Sequence, residues 1–311
     1  KQRQLETVLK PSSYIHFASK EAANMIMPLA MLYDRRKFNS DLRQDVYKLC
    51  PEFIQTVNEQ RPLATSKCFQ GACPSEAAAD TVCPSGFWGF RHRLGMPVST
   101  PTVTDIPTTL TYMNDPQLVM SVALNLGEVN QHMRSMIRLW PSKSLKIVKS
   151  PEDTILSFLN EKPHLVYFYC HGGETQGHAY LQVGTADSSQ NISSETLFRE
   201  DVYWEEPRPL VIINGCHTTA LEPRAALDLV SGFMEVGNAS GVIGTEITIF
   251  ETLAQGFAEP LLSALLNGEP VGEAVRLARL ALLQQKNPLG LVYVPFALAG
   301  VRMQRAEIVI N

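Results

Sequence analysis

A histidine and a cysteine each follow an apolar segment of this 311-residue chain, and each stands beside glycine. His171 comes after the run HLVYFYC and before two glycines, and Cys216 comes after the run PLVIIN and one glycine. A thiolate is a strong nucleophile, and an imidazole can take the thiol proton and later return it to a leaving group. The two residues therefore predict acyl-transfer chemistry, provided that the fold brings the two apolar runs together.

Both runs have the length and composition of strands that are buried on both faces of a parallel sheet. From Gln117 onward the sequence alternates such strands with amphipathic helices, which is typical of a mostly parallel sheet covered by helices. The predicted strands are 118–126, 145–148, 164–170, 209–214, 241–245 and a last one within 291–300, and the predicted helices are 129–140, 151–162, 224–235, 252–266 and 271–284. We therefore expect an α/β fold in which helices sandwich a six-stranded, mostly parallel sheet.

Ligands of an open parallel sheet bind beyond the carboxyl ends of its strands. His171 and Cys216 stand just past two such ends, so we expect their side chains to lie together at one edge. The amides of Gly172 and Cys216 could face a developing oxyanion there, and His217 is a further candidate for the cleft wall. Alone, a cysteine at a strand end is usually core and a histidine there is usually structural, but the pairing favours catalysis.

The first part of the chain differs in composition from the rest. Residues 1–115 are rich in Pro, Ser, Thr and Gly and contain few periodic segments. We predict a loop-rich accessory subdomain over 1–115 and a catalytic domain over 116–311. Because the chain begins with Lys, we also expect it to be a processed product or a part of a longer protein with an upstream domain.

Composition limits the classes of binding partner and the cellular locations that we expect for the protein. The formal net charge of −4 comes with no basic stripe, which argues against direct binding of nucleic acid. Apolar runs fall well short of the roughly 20 residues that span a bilayer, so no membrane association is expected. Six cysteines are ordinary for a large domain and few for a disulfide scaffold. A reducing cytoplasm is the expected location.

Four of the cysteines offer a different interpretation, a structural zinc site in the loop-rich part. Cys50, Cys68, Cys73 and Cys83 contain no short C-x2-C pair, and the last of them already belongs to the segment CPSGFWG. These spacings disfavour zinc, so no metal ligand is predicted.

Over most of its length the chain resembles the CHAT proteases, caspase-like cysteine peptidases related to separase, caspases and gingipains. The strand end with H-G-G and the segment NGCHT resemble the His and Cys motifs of that family. Further similar segments are MPLAMLYD (27–34), CPSGFWGFRH (83–92), GVIGTE (241–246), the stretch that begins AQGFAEPLL (from 254) and PFALAG (295–300). The segment CPSGFWGFRH is the most specific of these.

The resemblance implies a caspase-like α/β sheet with Cys216 as nucleophile, His171 as general acid and base, and an oxyanion hole near Gly172 and Cys216. Peptide bonds of a protein substrate would then be hydrolysed through a thioester, without a metal or an organic cofactor. CHAT domains are often attached to TPR repeats or nucleotide-sensing domains, and some act in bacterial defence, in CRISPR-associated or gasdermin-cleaving systems. The resemblance thus implies activation by a sensor domain or partner complex.

One segment departs from the pattern of the family. Where many CHAT sequences carry a Trp-x-Val-x-Asp-like run, this chain has EITIFE at 246–251. Relatives such as separase use acidic residues in this region to bind a basic P1 side chain, so Glu246 and Glu251 are candidates for substrate binding. A glutamate at a helix start is more often a cap or a solvated charge. The P1 preference therefore stays open between basic and uncharged residues.

A second class of function is a catalytically inactive, caspase-like scaffold that binds partners. The presence of both His171 and Cys216 argues against it.

Overall fold

The computed structural model describes residues 12–18, 26–35, 47–98, 105–185, 191–215, 223–247 and 249–307, with only the backbone for 223–226. Within these ranges the strands are β1 (Tyr14–His16), β2 (Lys48–Leu49), β3 (Thr81–Val82), β4 (Arg93–Gly95), β5 (Thr109–Tyr112), β6 (Leu118–Val122), β7 (Leu145–Val148), β8 (Leu165–Tyr169), β9 (His171–Thr175), β10 (His178–Gln182), β11 (Leu210–Ile213), β12 (Gly241–Thr245), β13 (Tyr293–Phe296) and β14 (Arg302–Arg305). The α-helices are α1 (Pro51–Asn58), α2 (Trp88–Arg91), α3 (Val129–Leu139), α4 (Pro151–Asn160), α5 (Ser194–Arg199), α6 (Pro223–Ser231), α7 (Glu251–Leu266) and α8 (Val271–Gln284).

Six of these strands form the central sheet, in the order β13-β12-β11-β8-β6-β7. Neighbouring strands are parallel except for β13, which runs antiparallel to β12 at one edge. Every residue of β6, β8, β11 and β12 is buried, which explains why these strands are continuous apolar runs. The prediction of an α/β fold with a six-stranded, mostly parallel sheet is confirmed.

Helix α4 begins where its sequence predicts. The Ser150 side chain accepts a hydrogen bond from the backbone N–H of Asp153, 3.1 Å away, and Pro151 occupies the first helical position. These features satisfy a free amide and place a residue with fixed φ where no N–H is needed. The helix therefore starts at a defined residue and packs against β6 and β7.

Helix α6 differs from its prediction as a single α-helix over 224–235. The α-helical part ends at Ser231, and the chain continues as a π-helix over Gly232–Val236. A backbone hydrogen bond of 3.1 Å from Gly237 to Gly232 closes the wider turn. Apolar periodicity does not distinguish a π-turn from an α-turn over so short a segment.

The N-terminal residues pack directly on the sheet edge. Strand β4 pairs with β1, and the N–H of Met96 just after it donates to the carbonyl of Pro295 in β13, at 2.8 Å. Strand β5 pairs with β14 near the other end of the chain. The buried Arg279 of α8 donates to the carbonyl of Gly89 at 3.2 Å. One hydrophobic core is continuous across these contacts, and the division near residue 115 stays a prediction.

None of the helices in the described ranges has both the length and the apolar character needed to cross a membrane.

Candidate active site

The two apolar runs that precede the histidine and the cysteine are adjacent strands. Strand β8 pairs with β11 in parallel, and this pairing places Phe168 opposite Ile213. The N–H of Asn214 then donates to the carbonyl of Phe168 at 2.9 Å, which extends the ladder by one residue. The carboxyl ends of both strands therefore lie at the same edge, as their sequence predicts.

His171 leaves the sheet at this edge as the first residue of a hairpin. Cys170 before it is fully buried, whereas His171 is partly exposed, as expected when successive residues face opposite sides. Strands β9 and β10 are joined by Gln176 and Gly177, with φ of 52° and 82°. Such two-residue turns match the twist of hairpin strands. The hairpin pairs His171 with Gln182 and fixes the backbone beside the imidazole.

The glycines after His171 have a packing role in the hairpin. Gly172 pairs with Leu181, and Gly173 pairs with Tyr180 across the two strands. A β-carbon at Gly173 would collide with the ring and the hydroxyl of Tyr180. Close packing against Tyr180 therefore explains the glycine at position 173. Gly172 remains the candidate donor to an oxyanion.

Below the edge lies a buried hydrogen-bonded network centred on Asn214. Its amide Nδ2 donates to the hydroxyl of Tyr167 at 3.0 Å and to the carbonyl of Ala254 at 2.7 Å. Its Oδ1 accepts from the hydroxyl of Tyr293 at 2.7 Å. The Tyr167 hydroxyl also lies 2.7 Å from Nε2 of His132. This network joins three strands to α3 and α7 directly beneath Gly215, the last residue described before the cysteine.

Burial keeps the ionisable members of this network neutral. Desolvation lowers the pKa of His132 to about 4, and it raises the pKa of Tyr167 well above its ordinary value. Neither group therefore carries charge near neutral pH. The three partners of Asn214 come from β8, α7 and β13, and spacing along the sequence does not reveal them.

Glu246 follows β12, the parallel neighbour of β11, at the same edge. Its N–H donates to the carbonyl of Val292 at 2.8 Å, and it lines a small pocket with Leu94, Met96 and Arg279. Burial raises the pKa of Glu246 to about 7, and Arg279 opposes that effect. Burial likewise lowers the pKa of Arg279 to about 9. The charge of Glu246 thus changes near neutral pH.

Glu251, the other acidic candidate, makes a structural contact at the start of α7. Its Oε2 accepts a hydrogen bond from the backbone N–H of Glu128 at 2.9 Å. Gln255, one turn later, donates to the carbonyl of Glu128 at 3.3 Å. These bonds tie α7 to the residue before α3. The geometry favours the capping interpretation of Glu251 over substrate binding.

Two of the predicted site residues, Cys216 and His217, lie outside the described residues. The side chains that could hold a metal lie elsewhere in the described ranges, where the sulfur atoms of Cys50, Cys68, Cys73 and Cys83 are all within 4.8 Å of one another.

Comparison with known proteins gives a family for the chain. The family model of the CHAT domain matches residues 105–301, a range that includes both strand ends. A probable protease of Vitiosangium sp. (strain GDMCC 1.1324) is 41% identical over 304 residues, which are 93% of this chain and 39% of that protein. The chain therefore spans about two fifths of the length of this relative.

Two solved structures are similar at low sequence identity. The Arg-specific cysteine proteinase gingipain R aligns with a TM-score of 0.49 and 11% identity, over 94% of this chain and 78% of that one. The separase–securin complex of Saccharomyces cerevisiae aligns with a TM-score of 0.42 and 15% identity, over 65% of this chain and 13% of that one. The match of the family model over residues 105–301, which are more than half of the chain, shows that the chain belongs to the CHAT domain family.

Proposed function

We propose that the protein is a cysteine endopeptidase whose nucleophile is Cys216 and whose general acid and base is His171. The pairing of Phe168 with Ile213 carries this proposal. His171 follows Phe168 by three residues, and Cys216 follows Ile213 by three residues. The two residues thus follow one register pair of adjacent parallel strands at the same distance in sequence, and the carboxyl ends of these strands form the edge where such sheets bind ligands.

The reaction follows from these roles. The imidazole of His171 takes the proton of the Cys216 thiol, and the thiolate attacks the carbonyl carbon of the scissile peptide bond. The N–H groups of Gly172 and Cys216 stabilise the oxyanion that forms. The imidazolium then gives its proton to the leaving amine, which departs and leaves a thioester. Water attacks the thioester with His171 as base, and the carboxylic acid leaves as the thiol is restored.

The buried network beneath the edge supports this chemistry by holding the strand ends in place. Asn214 makes three hydrogen bonds to three different elements and is almost fully buried. Hydrogen bonds from one buried side chain to several elements hold those elements in a fixed arrangement. Asn214 is therefore a positioning residue for the cysteine that follows it by two positions.

Substrate recognition involves Glu246 rather than Glu251. The carboxylate of Glu251 is occupied by the backbone of Glu128, whereas Glu246 follows β12, the strand next to β11, and its carboxylate makes no hydrogen bond to a described residue. Glu246 would favour a basic P1 side chain when ionised, and an uncharged P1 residue is the alternative. His217, next to the nucleophile, would line the cleft.

The proposal also covers the substrate and the regulation of the whole protein: the substrate is a protein, and a sensor domain or partner complex activates the protease. Its relative from Vitiosangium is more than twice as long as the matched region, which leaves room for a sensor domain that controls the protease. We place the protein in bacterial defence, as the CRISPR-associated or gasdermin-directed peptidase of such a system. A reducing cytoplasm suits the described cysteines, which form no disulfide with one another.

A halomethyl-ketone probe tests the dyad directly. Intact-mass analysis should find one adduct on the wild-type chain, mapped to Cys216, and none on Cys216→Ala. His171→Ala should slow labelling at least ten-fold, while Cys170→Ala, a change at a buried thiol beside the histidine, should not alter it. Equal labelling of wild type and Cys216→Ala would favour the inactive scaffold.

A further inference from the structure

Four cysteines that lie far apart in the first part of the sequence converge in the fold. Their sulfur atoms are all within 4.8 Å of one another, and the measured Sγ–Sγ distances are 3.7 Å for Cys50 and Cys68, 3.9 Å for Cys50 and Cys73, and 3.6 Å for Cys68 and Cys73. A tetrahedral zinc ion with Zn–S bonds of about 2.3 Å separates its sulfur ligands by about 3.8 Å. The cluster therefore has the dimensions of a zinc tetrathiolate.

The local structure presents all four thiols from short, separate pieces of backbone. Strands β2 and β3 pair in parallel, and Cys50 and Cys83 follow them directly. The N–H of Cys50 donates to the carbonyl of Val82 at 2.9 Å, which holds these two ends together. Cys68 and Cys73 come from one turn-rich loop with four residues between them, within the two to four that zinc ligand pairs use.

The surroundings of the cluster suit negatively charged sulfur. The backbone N–H groups of Ser75 and Ser85 lie where they favour negative charge on the sulfurs of Cys73 and Cys83. The hydroxyl of Ser85 lies 3.2 Å from the Cys83 sulfur and accepts from Nη2 of Arg35 at 2.7 Å, so its own proton is left for the sulfur. Such hydrogen bonds from a second layer of groups orient metal ligands and stabilise their charge.

Arg35 is a second, independent sign of an anionic centre. Its side chain is only 7% exposed, and its Nε and Nη1 atoms have no oxygen or nitrogen partner among the described residues. The guanidinium interacts electrostatically with the sulfurs of Cys73 and Cys83. A buried cation beside four neutral thiols would be poorly compensated. Beside a zinc ion with four thiolates, whose net charge is −2, it has a counter-charge.

Two other states of these cysteines, disulfides and uncoordinated thiols, agree less well with the geometry than a zinc site does. The Sγ–Sγ distances of 3.6 to 3.9 Å are far from the roughly 2.05 Å of a disulfide. Four uncoordinated, neutral thiols would also leave the charge of Arg35 opposed by the Glu76 carboxylate but by no charge within the cluster. Spacing alone disfavoured zinc, because it does not reveal that β2 and β3 pair and bring Cys50 to Cys83.

We propose that Cys50, Cys68, Cys73 and Cys83 bind one structural zinc ion, and that Arg35 and Ser85 stabilise its thiolates. All four ligands are protein sulfurs and all are buried, so the site is closed and has no open position for a substrate. The zinc ion would fasten the loop over 67–77, the start of α1 and the end of β3, where short elements alone provide little stability. This site is independent of the peptidase chemistry.

Elemental analysis of the purified chain tests the site. The protein, prepared without chelators, should contain about one zinc per chain. Cys68→Ala and Cys73→Ala should retain less than a tenth of that amount. Cys170→Ala is the matched control, because it removes an equally buried thiol outside the cluster, and it should retain the full zinc content.

A spectroscopic experiment on the wild-type protein tests the site even if the alanine variants do not fold. Wild-type protein reconstituted with Co²⁺ should show thiolate-to-cobalt charge-transfer absorption and the intense visible bands of a tetrahedral complex. A mercurial reagent should release one zinc for about four thiols. A folded, metal-free wild type that takes up neither Zn²⁺ nor Co²⁺ would overturn the proposal, as would disulfides at these positions in its mass spectrum or iron in place of zinc.

Discussion

The backbone N–H of Asn214 donates to the carbonyl oxygen of Phe168 at 2.9 Å and so continues the pairing of β11 with β8 past the last residue of the strand. Because of this bond the two chains leave the sheet at the same level. The hairpin that begins at His171 and the segment that begins at Cys216 therefore start from one rigid edge. The proposed dyad depends on this relationship more than on any other contact.

Asn214 should be among the most sensitive positions of the fold. Replacing it by Ala removes three hydrogen bonds, to the Tyr167 and Tyr293 hydroxyls and to the Ala254 carbonyl, from a buried site, so Asn214→Ala should lower the free energy of unfolding by about 3 kcal/mol. Urea denaturation measures this loss. Asn160→Ala, at an exposed helix end, is the control and should change stability by less than about 0.5 kcal/mol. Equal losses would show that the network is not stabilising.

Gly173→Ala tests the packing of the hairpin. The new methyl group would collide with Tyr180, so β9 should shift and stability should fall by about 1 to 3 kcal/mol. Labelling of Cys216 should slow as well, since His171 lies two residues away on the same strand. The second change Tyr180→Ala removes the collision, and the double variant should recover most of the labelling rate. If neither change affected the rate of Cys216 labelling, the packing of the hairpin would not control the position of His171.

Glu246 should make the protein less stable as the pH rises towards neutral, which is the opposite of the usual effect of a carboxylate. Its pKa rises from an ordinary value of 4.5 to about 7 on folding, so the folded chain holds this proton more tightly than the unfolded chain. The resulting stability is fully present below about pH 4.5 and is lost as the pH rises through about 7. Relative to Glu246→Gln, wild type should lose on the order of 1 kcal/mol between about pH 5 and about pH 8, after allowance for screening of a partly exposed carboxyl. Urea titrations at several pH values measure the difference, and parallel curves would contradict the burial of this group.

Glu251 should matter for stability and not for specificity. Glu251→Ala removes the acceptor for the N–H of Glu128 and should destabilise the chain by about 1 kcal/mol. Peptidyl halomethyl ketones that carry Arg or Gly at P1 should keep their relative labelling rates in this variant. Glu246→Gln should reduce the preference for Arg at P1 instead. A loss of preference in Glu251→Ala would assign substrate binding to the other carboxylate.

Local patterns predicted most of the fold. Strands β7 and β12 and helix α8 have the predicted bounds, because each is a buried or amphipathic segment with clear ends. The strand predicted over 118–126 ends at Val122. The N–H of Ala123 still donates to the carbonyl of Tyr169 in β8, but the N–H of Leu124 donates to the carbonyl of Gly184 instead. Contacts between distant segments of this kind have no periodic signal in the sequence.

The candidate site and the cysteine cluster also contain contacts that local sequence patterns do not predict. The position of His171 and Cys216 beyond neighbouring strand ends could be predicted, because the carboxyl ends of parallel strands lie at the same edge of a sheet. The partners of Asn214 come from β8, α7 and β13, and the four thiols come together through the pairing of β2 with β3. Neither set follows from spacing, because each is assembled by tertiary packing of separate elements.

The pH dependence of Cys216 alkylation tests the dyad most directly, because it reports on the thiolate whether or not the protease is activated. Site-resolved mass spectrometry with iodoacetamide measures the rate in wild type, in His171→Gln and in the control His178→Gln, whose side chain is 74% exposed on the same hairpin. At about pH 6.5, Cys216 should react at least ten-fold faster in wild type and in the control than in His171→Gln, and the rates should converge near pH 9, where ordinary thiols ionise. Identical rates in all three proteins across this range would contradict a dyad of His171 and Cys216.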